Sequence, residues 1–358
     1  GVGDFARAYD TRVNGLSSHF VWTNRSKESL TLDLKHAQAT TILAKLLARA
    51  DVLVQNLAPG AAARMGLSFE VLHPTHPRLV VCDISGYGDD PARPGPYRDK
   101  KAYDLLIQSE AGFLSVTGTP DAPSKAGCSI ADIAAGMVAY SSILAALLQR
   151  GRTGVGCRLD VSMLESMVEW MSFPLYYAHD GASPPPRAGA SHATIFPYGP
   201  FATGDGKTVM LGVQNEREWQ VFCERVLERP ALAGDPRFAS NAKRIEARET
   251  LRSIINETFS ALSAAQLTAR LEAAQIANAQ VNAMPEVWAH PQLAARERWT
   301  TVGSSAGPLP ALWPPALPES FEPRMDPVPA LGEHTETLLA ELGYSDAAIA
   351  ALRQDGAI

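Results

Sequence analysis

Scarcity narrows the chemistry of this chain before any motif does. Only four of its 358 residues are cysteine: Cys82, Cys128, Cys157 and Cys223. They stand far apart, with no CxxC pair and no histidine at zinc-ligand spacing, so neither a disulfide framework nor a structural zinc site is expected. A reducing, cytoplasmic setting fits best. The eight histidines are scattered, and no Cys or carboxylate accompanies them at ligand spacing on one element, so no metal is expected either. Positive charge is also short: 32 Lys and Arg against 38 Asp and Glu leave a net charge of -6, which gives no electrostatic case for a nucleic-acid partner. No GxSxG elbow is present, so serine-hydrolase chemistry has no foothold. No apolar run approaches the roughly 18–20 residues of a membrane span, and no leader of charged then apolar residues opens the chain. The first residue is Gly1, not Met, and it lies in polar sequence, so an upstream segment is expected to be missing.

What is present is core-forming material. The hydrophobic content is 46%, and the length suits about two domains. "HAQATTILAKLLARA" places Ile42, Leu43, Leu46 and Leu47 at helical spacing, and "DVLVQN" (51–56) follows as a short buried strand with a turn at Pro59-Gly60. "RLVVCDISGYG" (78–88) is a second strand, and "CRLDVSMLESMVEWMSF" a third running into an apolar helix. This alternation predicts an α/β fold, a Rossmann-like parallel sheet flanked by helices. "ADIAAGMVAYSSILAALLQRGRTGVG" is the strongest helix, closed by Gly151 and Gly154.

Composition then divides the chain. Residues 1–183 form a large domain, 184–200 a Pro/Gly/Ser-rich linker, 201–285 a smaller α+β domain, 286–329 a return linker and 330–358 a C-terminal helix that packs back on the large domain. Within 201–285, "KTVMLGV" is a strand, "EREWQVFCERVL" a helix with Trp219, Phe222 and Val226 on one face, and Ser263 with Gln266 a capping box.

Asp132 is the residue that invites a chemical question. It heads the strongest helix, among Ala131, Ala134, Ala135 and Gly136. Spacing alone fits an N-cap, worth about 1 kcal/mol. The same geometry also suits a nucleophile, because the helix N-terminus stabilises negative charge and small neighbours leave room for a substrate. "QNLAPGAAARMGL" (55–67) reads as the turn after a sheet strand, where open α/β folds bind ligands, although it is neither a Walker nor a GxGxxG loop. Taken singly, Arg64, Lys35, Lys100 and Lys101 are ordinary surface charges.

Seven segments in order carry a wider likeness: "NRSKESLTLDLK", "ADVLVQNLAPGAAARMGL", "YDLLIQSEAGFLSVTGTPDAP", "ADIAAGMVAYSSILAAL", "TGVGCRLDVSMLES", "AQVNAMPEVWAHPQLAARE" and "LGEHTETLLAELGY". With them the chain resembles the family III CoA-transferases, the group of formyl-CoA:oxalate and carnitine CoA-transferases with α-methylacyl-CoA racemase as a divergent branch. The resemblance implies that Asp132 is the nucleophile, forming an acyl anhydride and then an aspartyl-CoA thioester. It implies that Leu32, Lys35, Asn56, Leu57, Arg64, Met65 and Lys101 grip coenzyme A, with Tyr103 near the thioester. It also implies an interlocked homodimer, a CoA thioester as substrate, no permanently bound cofactor, and no membrane or nucleic-acid partner. The apolar surroundings of Asp132 are expected to keep water from the anhydride.

Two departures qualify the likeness. Oxalate-using members carry a run of glycines over the active site, whereas "RAGASHATIFPYGP" has only Gly189 and Gly199, so formyl-CoA:oxalate activity is not implied. The resemblance also implies an opening strand and helix that contribute to CoA binding, and that unit is expected to be missing before Gly1. The leading expectation is transfer from succinyl-CoA to a small dicarboxylic acid such as itaconate, mesaconate, citramalate or malate. A 2-methylacyl-CoA racemase is the alternative, weakened because Tyr103 stands where that branch has a histidine and a phenol of pKa about 10 is a poor base. A silent acyl-CoA-binding protein is the third.

Overall fold

The computed structural model describes residues 3–316 and 319–358. Positions 1 and 2 of the expected first domain, and 317 and 318 of the expected return linker, lie outside the described residues. By contact the chain forms two compact units, residues 1–50 with 282–358 and residues 51–281.

The second unit contains the parallel sheet: β1, Val52–Gln55, β2, Val80–Ser85, and β3, Arg158–Ser162, in the order β1-β2-β3. The register aligns Gln55 with Asp83 and Asp83 with Asp160. Parallel neighbours need long crossovers, and helices supply them. Ala61–Arg64 and Phe69–Leu72 lie between β1 and β2. Asp104–Glu110, Phe113–Val116 and the long helix Ile130–Thr153 lie between β2 and β3. The fold is therefore α/β, as the alternation predicts. β2 runs down the middle with Val80, Val81, Cys82 and Asp83 buried, whereas β1 departs from expectation: Val54 is 51% exposed because β1 is an edge strand.

The long helix closes on the sheet through small residues. Ala135 and Ala139 pack with Cys82 and Val161, and Ala131 packs with Ile107 and Met167. Its end is set by Gly154, whose left-handed φ of 76° closes the last turn with an N–H donated to the Arg150 carbonyl; Gly151, expected beyond the end, lies inside. At that end the Arg150 guanidinium donates to the Asp51 carboxylate at 2.8 Å and to the Arg78 carbonyl at 3.1 Å, both just before β1 and β2. The helix thus runs against the strands, and its N-terminus lies at their carboxyl ends.

One expectation about this helix is corrected. Ile130–Thr153 is long and apolar enough, by length and composition, to cross a membrane, with 28% of its most apolar window buried within the chain. No charge stands between Asp132 and Arg150, and the interspersed Gly, Ala and Ser had disguised the run. The chain covers only one face of it. Met137, Tyr140, Leu144 and Leu148 are 55%, 61%, 44% and 72% exposed along the other.

An antiparallel sheet occupies the rest of this unit: β4, Tyr198–Ala202, β5, Thr208–Gly212, and β6, Ala277–Gln280, in the order β4-β5-β6. Helices Glu216–Val221, Arg248–Phe259 and Ala264–Ala273 cover it, the last opened by the Ser263–Gln266 capping box. Trp219, Phe222 and Val226 share a buried face as expected, although the helix loosens into a π turn at Phe222–Val226.

In the first unit, helices Thr335–Glu341 and Asp346–Gln354 bury Leu339, Ile349 and Leu352 against Ile42 of helix Ala39–Arg49. The short pair β7, Trp299–Val302, and β8, Leu309–Leu312, completes it.

Candidate active site

Asp132 is the third residue of the long helix, not its cap. The N-cap is Ser129, whose side chain makes no capping bond. The cap comes instead from another helix: Asp104 Oδ1 accepts the Ala131 N–H at 2.8 Å. Gln108, fully buried, holds that carboxylate in place by donating from Nε2 to Asp104 Oδ2 at 2.7 Å, while its Oε1 accepts the Ala126 N–H at 3.0 Å. Since Tyr103 precedes Asp104, this fastening delivers the 101–103 segment to the start of the helix that bears Asp132. Gly86 secures the segment from the other side, because a Cβ there would come within 2.2 Å of the Ala102 Cβ, so only glycine lets the two strands of chain meet.

Asp132 is exposed. It stands in the first turn, at the positive end of the helix dipole. The expected dry setting is corrected, however: Ala131, Ala134 and Ala135 are buried against the sheet and helices, so their apolarity does not keep water from the carboxylate within this chain.

The turn after β1 carries the next group. Asn56 and Leu57 are exposed, and the Leu57 N–H donates to Gln55 Oε1 at 2.7 Å. Gly60, at φ 74°, turns the chain into the single helical turn Ala61–Arg64, and a Cβ there would lie 3.2 Å from Arg64 Nη1, so glycine also makes room for the guanidinium. Arg64 is exposed and Met65 half-buried; Lys101 and Tyr103 are exposed. Seven of the nine expected residues, Asp132, Asn56, Leu57, Arg64, Met65, Lys101 and Tyr103, therefore belong to segments at the carboxyl edge of the parallel sheet, where α/β folds bind ligands. Leu32 and Lys35 belong to the other unit. Leu32 is half-buried against the Ile42 cluster, and the Lys35 N–H is held by the Asp33 carboxylate at 3.0 Å.

A carboxylate at a helix start, flanked by segments bearing one arginine and one lysine, suits a thioester substrate with phosphates. The family model described as CoA-transferase family III matches residues 2–335. This chain belongs to that family. An acyl-CoA transferase of Fusarium pseudograminearum is 33% identical over 349 residues, 96% of this chain and 75% of the relative. A succinyl-CoA:glutarate CoA-transferase of Mus musculus is 32% identical over 366 residues, all of this chain and 82% of the relative. Among solved structures, a CaiB/BaiF family protein from Brucella suis matches with a TM-score of 0.81 at 29% identity, covering 95% of this chain and 89% of that one. The protein is an enzyme, a CoA-transferase.

Family III membership leaves several residues of this edge to be found from the structure. Asp104 and Gln108 carry no signal in the sequence, since Asp104 is the first residue of its own helix and the N–H it accepts belongs to another, 27 positions on. Lys100 is engaged: it pairs with Glu110, which raises its pKa, and lies over the rings of Tyr87 and Tyr97. A cavity of about 250 Å³ is lined by Tyr87, Lys100, Leu106, Ser109 and Glu110. Among the described residues no group of three or more His, Cys, Asp or Glu could hold a metal ion.

Proposed function

We propose that this CoA-transferase moves CoA from succinyl-CoA to a small dicarboxylic acid through covalent intermediates on Asp132. The carboxylate attacks the thioester carbonyl and expels CoA thiolate, leaving an acyl anhydride. The thiolate then attacks the aspartyl carbonyl, releasing the donor acid and leaving an aspartyl-CoA thioester. The acceptor carboxylate repeats the sequence in reverse, ending as a new CoA ester with Asp132 restored. A carboxylate is a weak nucleophile, so the step requires an ionised, accessible oxygen near the thioester. One observation carries the reading: Asp132 sits exposed in the first turn of the long helix, with the Tyr103–Asp104 segment bonded to the same turn.

In this reading Arg64 and Lys101 meet the phosphates of CoA, Leu57 and Met65 its adenine, Asn56 its polar groups, and Tyr103 the thioester end. Leu32 and Lys35 enter on the family resemblance. Because Asp132 is open to water in one chain, bound substrate and a second subunit must exclude it. An interlocked homodimer, with a large domain over 1–183 and a small one over 201–285, is part of the proposal; the exposed stripe Met137, Tyr140, Leu144 and Leu148 supports it as a face that association would cover. A reducing, cytoplasmic location goes with the exposed free thiol of Cys128. The acceptor panel is itaconate, mesaconate, citramalate and malate, to which the mouse relative adds glutarate.

Purified protein given succinyl-CoA and this panel should yield a new CoA ester, read by mass spectrometry. Asp132→Ala should lose exchange by at least about a thousandfold while still binding CoA. Equal exchange in the variant removes the nucleophile role. Solvent deuterium entering the α-carbon of a 2-methylacyl-CoA without any acceptor acid replaces transfer with racemisation.

A further inference from the structure

A second carboxylate near this edge has no part in the mechanism above. Asp83 lies on the central strand β2, 6% exposed, and each of its oxygens is used. Oδ2 accepts from Arg158 Nε on β3 at 2.8 Å, and Oδ1 accepts from Gln55 Nε2 on β1 at 2.9 Å. A buried ion pair is seldom retained for stability, because desolvation offsets much of its attraction and well-packed apolar groups often do as well. Its consequence lies at the far end of Gln55. The same amide that donates to Asp83 accepts the Leu57 N–H through Oε1 at 2.7 Å, so opposing bonds fix its orientation and fix the backbone of Asn56–Leu57. Along the other branch, Arg158 Nη2 donates to the Asp89 carbonyl at 2.9 Å, and the Asp89 N–H donates to Asp160 at 3.0 Å. That branch pins the loop leading to Lys101 and Tyr103.

We propose that Asp83, acting through Gln55, is a positioning residue of the acyl-CoA site: it sets the turn that presents Asn56 and Leu57 and so governs affinity for the CoA part of the substrate, not the chemistry at Asp132. Neither Asp83 nor Gln55 touches substrate in this account. A relay across three adjacent strands ties both ligand-bearing loops to one carboxylate, and a turn whose backbone is already fixed loses less freedom when CoA binds. The inference rests on the proposed reading that this turn holds CoA.

Gln55→Leu tests it with little risk to folding, since it removes no charge and stays on an edge strand. The KM for acyl-CoA and the Kd for CoA should rise about tenfold, the loss of one such bond in the bound state, with kcat and the acceptor KM within about twofold. Asp83→Leu, which also leaves Arg158 without its carboxylate, should raise the same constants at least as far. Asp83→Asn, which keeps an acceptor toward Gln55 but gives up the ion pair with Arg158, should rescue most of the affinity. Unchanged acyl-CoA KM in Gln55→Leu overturns the inference, as does a fall in kcat together with a rise in both KM values, which marks general loosening. A defect in Asp83→Asn as large as in Asp83→Leu, with Gln55→Leu near wild type, also overturns it, assigning the effect to the ion pair. Wild-type protein is titrated with CoA first: if it fails to bind, the reading of the site fails and the inference with it, whereas wild-type binding with an unaltered variant refutes the inference alone.

Discussion

Around β4, β5 and β6 the chain buries Phe196, Phe201, Trp219, Phe222, Phe238 and Phe259, with Leu211, Leu251 and Leu267 filling between them. Around β1, β2 and β3 the buried clusters are smaller and hold no buried aromatic ring: Cys82, Ala135, Ala139 and Val161 in one, Ile107, Ala111, Ala131 and Met167 in another. The first region turns its large side chains inward and is closed on itself. The second turns many outward, including Met137, Tyr140, Leu148, Trp170, Phe173 and Tyr176. Both carry an arginine–carboxylate pair, but buried Arg244, paired with the exposed Glu216, also satisfies the carbonyls of Phe196 and Phe238 inside its core, whereas Arg158, paired with the buried Asp83, reaches out to a loop. Mass-rich packing supplies stability, and the close-packed, thin-cored sheet leaves its edges and one helix face for ligands and association. The candidate site lies in the region that does not complete itself.

Opposite substitutions break this contrast most forcefully. Truncating Phe259→Ala should cost about 3–5 kcal/mol, because transfer energy and a cavity add. Filling is the danger in the other region. Ala135→Leu should cost about 1–3 kcal/mol by forcing the long helix off Cys82 and Val161. Urea melts followed by circular dichroism measure both. If Ala135→Leu is neutral, the helix does not sit tightly on the sheet and the contrast in packing is false.

Much of this could be read from residues alone, and the failures share a cause. The strands at 52–55, 80–85 and 158–162, the long helix and the Ser263 cap are local patterns, and each stands where periodicity and caps put it. What sequence did not disclose was which face of an element another element covers. The apolar run at 52–54 suggests a buried strand, yet Val54 is exposed, because edge position is a property of the sheet. The spacing of Asp132 fits a cap, whereas the capping bond comes from Asp104, 27 positions before the Ala131 N–H it accepts. The Gln55–Asp83–Arg158 relay joins three strands, and nothing in any one strand announces it.

A smaller effect separates the outward-facing groups from those in the core. Leu148→Gln and Tyr140→Ser should each change the urea-melting free energy by no more than about 0.5 kcal/mol at low protein concentration, as exposed substitutions do. Their effect should appear in association. Wild-type chain is expected to sediment as a dimer, and the double variant to shift toward single chains as it is diluted. A wild-type monomer, or a double variant with unaltered mass, would show that this stripe is ordinary surface and that the second region is as self-sufficient as the first.

The smallest expected effect uses two buried thiols, one in each region, as matched probes. Burial pushes Cys223 up to about 12, and burial together with the nearby carboxylates of Asp83 and Asp160 pushes Cys82 up to about 11. An unfolded thiol ionises near about pH 8.5, so the folded chain keeps its proton where the unfolded chain loses it. The sign follows directly: each thiol's contribution to stability is fully present below that pH and declines as pH rises toward its folded value. Cys223→Ala and Cys82→Ala should each flatten the loss of stability between about pH 8.5 and 10.5, relative to wild type. Alkylation at pH 9.5 then tells the regions apart. Cys128 is exposed and should label first, and both buried thiols should resist as long as their surroundings stay shut. Labelling of Cys82 ahead of Cys223 would mean that the thin-cored sheet opens locally while the aromatic core stays closed, as its smaller buried clusters imply; the reverse order would invert the relation between core size and opening on which the contrast rests.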